Sequence, residues 1–343
     1  MNKEVLALSS WLRRGFYACV LSFLISTSVS AAEKELTREQ ILEMRMDYYI
    51  KYSSEMLPWY YLAAIDQYER NLQEVRSDLP KRDGVVAFQF STDFWVGLLN
   101  PIRDDRDLIS ITFFDGKGLD GNNDGFADLK QDEDVMYTLT NYLNERVVTE
   151  EDFEKSLKEY YIRDEAVKQI ITNAKIYKHY NTVDLDGRAF PLALQHNYSY
   201  RSTWGDRRGW GGRRMHEGTD LFASYGVPVK STTYGIVETK GWNDYGGWRV
   251  GIRDVNNTYH YYAHLSGYTK ELKEGDILEP GTVIGYVGSS GYGREGTSGK
   301  FPPHLHYGMY KFNGRTEWAY DPFPLLKRWE QQERNAKKNP AAS

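Results

Sequence analysis

Pro302-Pro303-His304-Leu305-His306-Tyr307-Gly308-Met309-Tyr310 decides how the second half of this chain folds. Two prolines exclude a helix running into the segment. The residues after them alternate, so the run reads as a strand with His304 and His306 on one face and Leu305 on the other. Outward from it, the same short rhythm broken by glycine recurs in Gly226-Val227-Pro228-Val229, Tyr234-Gly235-Ile236-Val237 and Val283-Ile284-Gly285-Tyr286-Val287. Such runs predict a mostly antiparallel β region. Upstream the period is helical. Thr37 and Gln40 form a capping box, Pro58 suits the opening of a second helix, and Thr149 with Asp152 marks a further start. Glu/Lys-rich residues 150–178 read as one long solvated helix. The fold class is therefore α+β: a mostly α domain over residues 35–180, an antiparallel β domain over 186–328, and a flexible polar tail over 329–343.

Five of the seven histidines lie between positions 216 and 306, inside the β half. Besides His304 and His306, His216 and Asp220 bracket a short turn, Glu217-Gly218-Thr219, that brings an imidazole and a carboxylate to a common point. His260 and His264 share parity on an aromatic strand, so one of them faces the same site. Two neutral imidazoles and one carboxylate suit tetrahedral Zn²⁺ with a fourth position open for water. Zinc lowers the pKa of such a water to about 7 and polarises a carbonyl. The surplus histidines suit proton transfer and oxyanion stabilisation.

His216-Glu217-Gly218-Thr219-Asp220, Tyr262-Ala263-His264-Leu265 and His304-Leu305-His306 together resemble the motif set of the lysostaphin-type zinc endopeptidases, over roughly residues 188–325. The resemblance implies that His216, Asp220 and His306 bind Zn²⁺, that His264 and His304 act on the water and the tetrahedral intermediate, and that the substrate is bacterial peptidoglycan. His260 matches no functional position of that pattern and is expected to be structural. Arg207, Arg208, Arg213 and Arg214 gather just before His216. Guanidinium pairs bidentately with carboxylates such as those of peptidoglycan stems, which makes Arg213 and Arg214 substrate-binding candidates; a merely solvated cluster is the alternative. The glycine-rich run 288–299 is expected to be a mobile wall of the groove.

In the helical half, Leu62 and Ile65 lie seven and four residues before Glu69, so a helix there sets this carboxyl at the end of an apolar face, where partial burial raises its pKa. Residues 64–70, 84–90 and 137–143 resemble the lysozyme-like fold of lytic transglycosylases. That resemblance implies Glu69 as a catalytic acid for glycan cleavage, with glycan binding alone as the alternative. Asp120, Asn122, Asp124, Phe126 and Asp128 occupy EF-hand ligand positions, with Gly125 at the turn. Position twelve is Gln131, so Ca²⁺ is expected to bind weakly or with help from Asp132, against the alternative of a plain Asx-rich turn.

Composition narrows the function classes. The chain has 343 residues, 43 Lys+Arg against 48 Asp+Glu and a formal net charge of -5, without the basic excess that binding a phosphate backbone requires; nucleic acid is not an expected partner. Lys3, Arg13 and Arg14 precede an apolar run and small residues near Ala31, which reads as a signal peptide over residues 1–31, with an uncleaved membrane anchor as the alternative. A secreted, extracytoplasmic protein with no stable membrane span after cleavage is expected. Cys19, the single cysteine, lies in that run, so neither a disulfide framework nor a thiol nucleophile is expected. The combination of halves resembles secreted cell-wall hydrolases of spore-forming Gram-positive bacteria that cut the L-alanyl-D-glutamate bond. A noncatalytic wall-binding scaffold on the same fold and a bifunctional hydrolase using Glu69 are the competing readings.

Overall fold

The computed structural model describes residues 36–210 and 212–339; the expected signal peptide and Cys19 lie outside them. The first helix, α1 (Arg38–Lys51), opens with Thr37 and Gln40 bonding each other's backbone amides at 2.9 and 3.3 Å. Everything from Ile41 onward clusters as a second unit. Its helices are α2 (Trp59–Val75), α3 (Thr92–Val96), α4 (Leu108–Phe113), α5 (Asp132–Asn144), α6 (Glu150–Tyr160) and α7 (Asp164–Tyr180). Among the described residues no helix is long and apolar enough to cross a membrane.

The expected single helix over 150–178 is instead two, α6 and α7, broken around Tyr161-Ile162-Arg163. Each carries its own apolar face, Phe153 and Leu157 on the first, Val167, Ile170 and Ala174 on the second, and one straight rod could not turn both inward. The Thr149 capping box that starts α6 is present in full.

Among the described residues twelve strands follow: β1 (Tyr198–Tyr200), β2 (Arg207–Arg208), β3 (Arg214–Met215), β4 (Thr219–Ala223), β5 (Pro228–Lys230), β6 (Gly235–Asn243), β7 (Gly247–Arg253), β8 (Thr258–Tyr268), β9 (Ile277–Leu278), β10 (Val283–Val287), β11 (His304–Phe312) and β12 (Glu317–Tyr320). The main sheet is antiparallel, with the path β1-β4-β11-β8-β7-β6-β9; β10 joins β5 and β8, and β12 pairs with β11. The long central strands β11 and β8 alternate. Leu305, Tyr307 and Tyr262 point into the apolar core with Leu221, Val250 and Ile252, all fully buried, while the intervening residues face the other way. His260 is on the core side, between the Tyr307 hydroxyl at 2.7 Å and Asp254 at 3.3 Å, so it belongs to a buried polar network beneath the sheet.

The helical and β segments each have their own apolar cluster, and the two segments touch. Val255, at the β7–β8 turn, joins the helical cluster with Tyr234 and Ile236 packed against it, and Asn71 Nδ2 donates to the Val255 carbonyl at 2.8 Å. The expected flexible tail is also corrected. The chain closes with α8 (Phe323–Lys338), in which Leu326 and Trp329 are buried in the β core. Glu330 accepts bonds from the hydroxyls of Tyr198 and Tyr200, and Glu333 accepts from the Phe190 amide at 2.7 Å. These apolar residues lie three positions apart on one helix face, and the glutamates that follow are acceptors for Tyr198, Tyr200 and Phe190.

Candidate metal centre

The pairing of β11 with β4 sets His306 opposite Asp220. His216 reaches the same point from the turn before β4, where its amide donates to the Asp206 carbonyl and its own carbonyl accepts from Gly205, both at 2.9 Å. Gly205 turns here at φ 78°, a conformation that costs glycine little. His216 Nε2 lies 2.8 Å from His306 Nδ1 and 3.0 Å from Asp220 Oδ1, and His306 Nδ1 lies 3.1 Å from Asp220 Oδ1. Among the described residues this is the group of three able to hold a metal ion.

The neighbours fix which atoms are offered. His216 Nδ1 lies 2.6 Å from the Thr203 carbonyl oxygen; a carbonyl only accepts, so Nδ1 carries the proton and Nε2 keeps its lone pair for the site. Asp220 receives the Arg208 guanidinium on Oδ2, leaving Oδ1 to the centre, and its amide donates to Thr203 Oγ1 at 3.0 Å. Burial works against its charge, but the imidazoles of His216 and His306 beside it outweigh that and hold the Asp220 carboxyl well below the usual carboxylate range. Gly218 makes room: a Cβ there would sit 2.6 Å from His306 Cε1 and 2.7 Å from the Tyr307 carbonyl oxygen. Two imidazole nitrogens and one carboxylate oxygen, in a triangle near the roughly 3.3 Å edge of a tetrahedral site with bonds of about 2.0 Å, fit Zn²⁺.

His264 and His304 flank the triangle, their ring centroids 4.8 Å apart. His264 donates Nδ1–H to the Ser290 carbonyl and His304 donates Nδ1–H to the Pro302 carbonyl, each at 2.8 Å. Burial depresses both pKa values, so the two rings are neutral with Nε2 as the free acceptor. By strand parity His264 belongs with His260 and Tyr262 under the sheet. An extra residue in β8, visible as the register shift against β7 between Trp248 and Val250, and a φ of 62° at His264 reverse its direction. The run 288–299 is tied down where mobility was expected: Ser290 Oγ donates to the Leu265 carbonyl at 2.6 Å and accepts from the Trp248 amide at 3.0 Å.

The centre opens into a cleft of about 530 Å³. Arg214 lies in its wall with the guanidinium 4.9 Å from the Tyr245 ring, whereas Arg213 is exposed outside the lining. Trp210 stacks on Tyr292 at 4.9 Å. Sequence reasoning missed Thr203, Ser290, Arg249 and Tyr261, and left Arg208 without a role. The first two reach the histidine rings through backbone carbonyls that no motif records. The last two are signalled only by their alternation on β7 and β8.

Glu69 is on α2, away from this cleft. Burial raises its carboxyl to about 7 although the Tyr161 hydroxyl donates to it at 2.5 Å. The loop at 120–128 spends its oxygens on itself. Asp120 accepts from the amides of Asn123 at 2.7 Å and Gly125 at 2.8 Å, Asn122 accepts from the Asp124 amide and Asp124 from that of Phe126, each at 2.9 Å. Asp128 accepts from the Lys130 amide at 2.9 Å. Asp132, expected as a substitute ligand, instead pairs with Arg82 at 2.7 Å and accepts from the Val85 amide. Asp134 closes the loop by accepting from Gly121 and Asp128.

Residues 214–322 match the profile of peptidase family M23. An L-Ala--D-Glu endopeptidase of Bacillus subtilis (strain 168) is 53% identical over 322 residues, covering 94% of this chain and 98% of that protein. The chain belongs to peptidase family M23. Members of that family are zinc metallopeptidases, and the His216, Asp220 and His306 triangle lies within the matched residues. Lysostaphin of Staphylococcus simulans is 36% identical over 115 residues, which cover 33% of this chain and 22% of that protein. Its crystallised catalytic domain is matched at 33% identity over 39% of this chain and 99% of the domain, with a TM-score of 0.31. Residues 214–322 hold most strands of the antiparallel sheet, with helices α1–α7 before them and α8 after.

Proposed function

We propose that this M23 peptidase is a zinc endopeptidase that hydrolyses the L-alanyl-D-glutamate bond of peptidoglycan stem peptides outside the cytoplasmic membrane. The observation that carries the reading is the convergence of His216 Nε2, His306 Nδ1 and Asp220 Oδ1 at the base of an open cleft. The choice of bond is supported by the near full-length similarity to the Bacillus subtilis enzyme. Export is supported by the sequence of residues 1–31.

Zinc held by His216, Asp220 and His306 supplies a Lewis acid and an activated water. The chain's own residues do the rest. His264 and His304, neutral and fixed through Nδ1, present Nε2 to take up a proton and return it to the departing amine. Once protonated, either ring donates to the oxyanion that develops as the carbonyl is attacked. Arg208 and Thr203 hold Asp220 and His216 in the orientation the metal needs. Tyr292 walls the cleft near His264, with Trp210 stacked on it.

The complete ligand triangle and the preset acceptors favour catalysis over a wall-binding scaffold. Glycan cleavage through Glu69 has less support, since the Tyr161 hydroxyl occupies its carboxylate and the adjoining small cavity is lined by apolar and aromatic residues such as Ile65, Phe88 and Leu139. Digestion of purified peptidoglycan, followed by identification of the newly exposed amino termini, tests the reading. D-Glutamate termini are expected; termini from a D,D cross-link or a glycine bridge, or reducing sugar ends alone, would reject it.

A further inference from the structure

Two guanidiniums in the lining of the cleft have roles that the hydrolytic machinery does not explain. Arg214 comes from β3 and Arg249 from β7, and both line the cleft with Tyr261. Arg214 lies against Tyr245 and has a buried Nε with no hydrogen-bond partner. Arg249 Nη1 donates to Thr239 Oγ1 at 3.1 Å, and its Nε is likewise buried and unpartnered. Among the described residues no carboxylate forms an ion pair with either. Of the cleft's own acids, Asp220 pairs with Arg208 and Glu317 with Arg253 at 3.1 Å, while Glu217 is exposed and forms an ion pair with neither cation. Tyr261, whose ring lies 5.9 Å from that of His306, shares this cleft lining with both cations.

Two half-buried cations without anions, beside a phenol that can donate, form an unfilled acceptor site for a carboxylate. We infer that Arg214, Arg249 and Tyr261 form a specificity subsite for the free carboxylate of the acidic residue on the amine side of the scissile bond. This rests on the proposed bond. A glutamyl residue there carries two carboxyls, chain continuation uses one, and the other remains as an anion near the scissile nitrogen. A glycine or alanine in that place offers none, so the subsite separates a stem-peptide substrate from a neutral bridge.

The test compares two synthetic stem peptides, one with the free carboxylate and one with it converted to the primary amide, on zinc-loaded full-length protein. Cleavage is read as kcat/KM, and binding of the D-glutamyl product peptide and its amide is read by calorimetry. The wild type is expected to prefer the carboxylate peptide by about 10–100-fold, the effect of a charge-assisted pair. Arg249→Gln and, independently, Arg214→Gln are expected to shrink that ratio at least about fivefold, with zinc content unchanged. Equal handling of carboxylate and amide by the wild type, in cleavage and binding, overturns the subsite. So does a preference that survives in both variants. Tight, carboxylate-dependent binding without cleavage would uphold the subsite and reject the bond assignment.

Discussion

The Nδ1–H of His264 donates to the carbonyl oxygen of Ser290 at 2.8 Å, and this bond, with the bulge that turns His264 over, aims Nε2 at the metal triangle. His264 contributes none of the three ligand atoms. His264→Ala is therefore expected to keep stoichiometric zinc while kcat on a stem peptide falls about 10²–10³-fold. Metal analysis and steady-state kinetics on the same preparation check this. Loss of zinc in step with loss of activity would make His264 a structural prop.

Gly218 is the contact on which His306 depends. A methyl group there meets both the His306 ring and the Tyr307 carbonyl inside 3.0 Å, and neither is the free end of a flexible chain. Gly218→Ala should displace the His306 ring and weaken zinc binding by at least about tenfold, measured by competition with a chelator. Wild-type affinity in this variant would show that the strand yields without moving the ligand.

Glu69 gives the helical half a pH signature. Its carboxyl titrates near 7 in the fold against 4.5 ordinarily. Between those values the folded state holds a proton that the unfolded state has released. Stability therefore falls as pH rises from about 4.5 to 7, by at most about 1.4 kcal/mol per pH unit, and this contribution is constant outside that window. Glu69→Gln removes the group, so urea unfolding at pH 5 and pH 7.5 should differ less in the variant than in the wild type. An identical difference in both would place the titration elsewhere.

Trp329 tests the role of the last helix. It is 4% exposed and its ring lies 6.3 Å from that of Tyr307, the neighbour of His306 on β11. Trp329→Ala should destabilise the protein by about 3–5 kcal/mol, read by denaturant titration. A loss below about 0.5 kcal/mol, as for a surface residue, would restore the view of this segment as a loose tail.

Much of the site is legible in the sequence because strand parity and turn spacing are local. His304 and His306 share a face by alternation, and His216 with Asp220 needs only a short turn. What escapes is set by features without a local signature. The bulge at His264 breaks the parity that governs the rest of β8, so alternation alone cannot choose between it and His260. Thr203 and Ser290 reach the histidine rings through backbone carbonyls that any residue possesses. The end of the chain misleads for a related reason: Leu326 and Trp329 are too few to dominate a polar window, yet Glu330 and Glu333 satisfy donors on an edge that only the folded sheet creates. In the helical half, Asp132 follows the loop at the right distance for a thirteenth-position ligand, but Arg82, fifty residues earlier in the chain, claims it.

Titrating metal-free protein with zinc while following cleavage of an L-Ala-D-Glu stem peptide, beside His306→Ala under the same conditions, tests the metal centre most directly. Activity rising from zero to a plateau at one equivalent of zinc, and absent from His306→Ala throughout, is the expected result. Full cleavage by the metal-free chain, or by the variant, would contradict it.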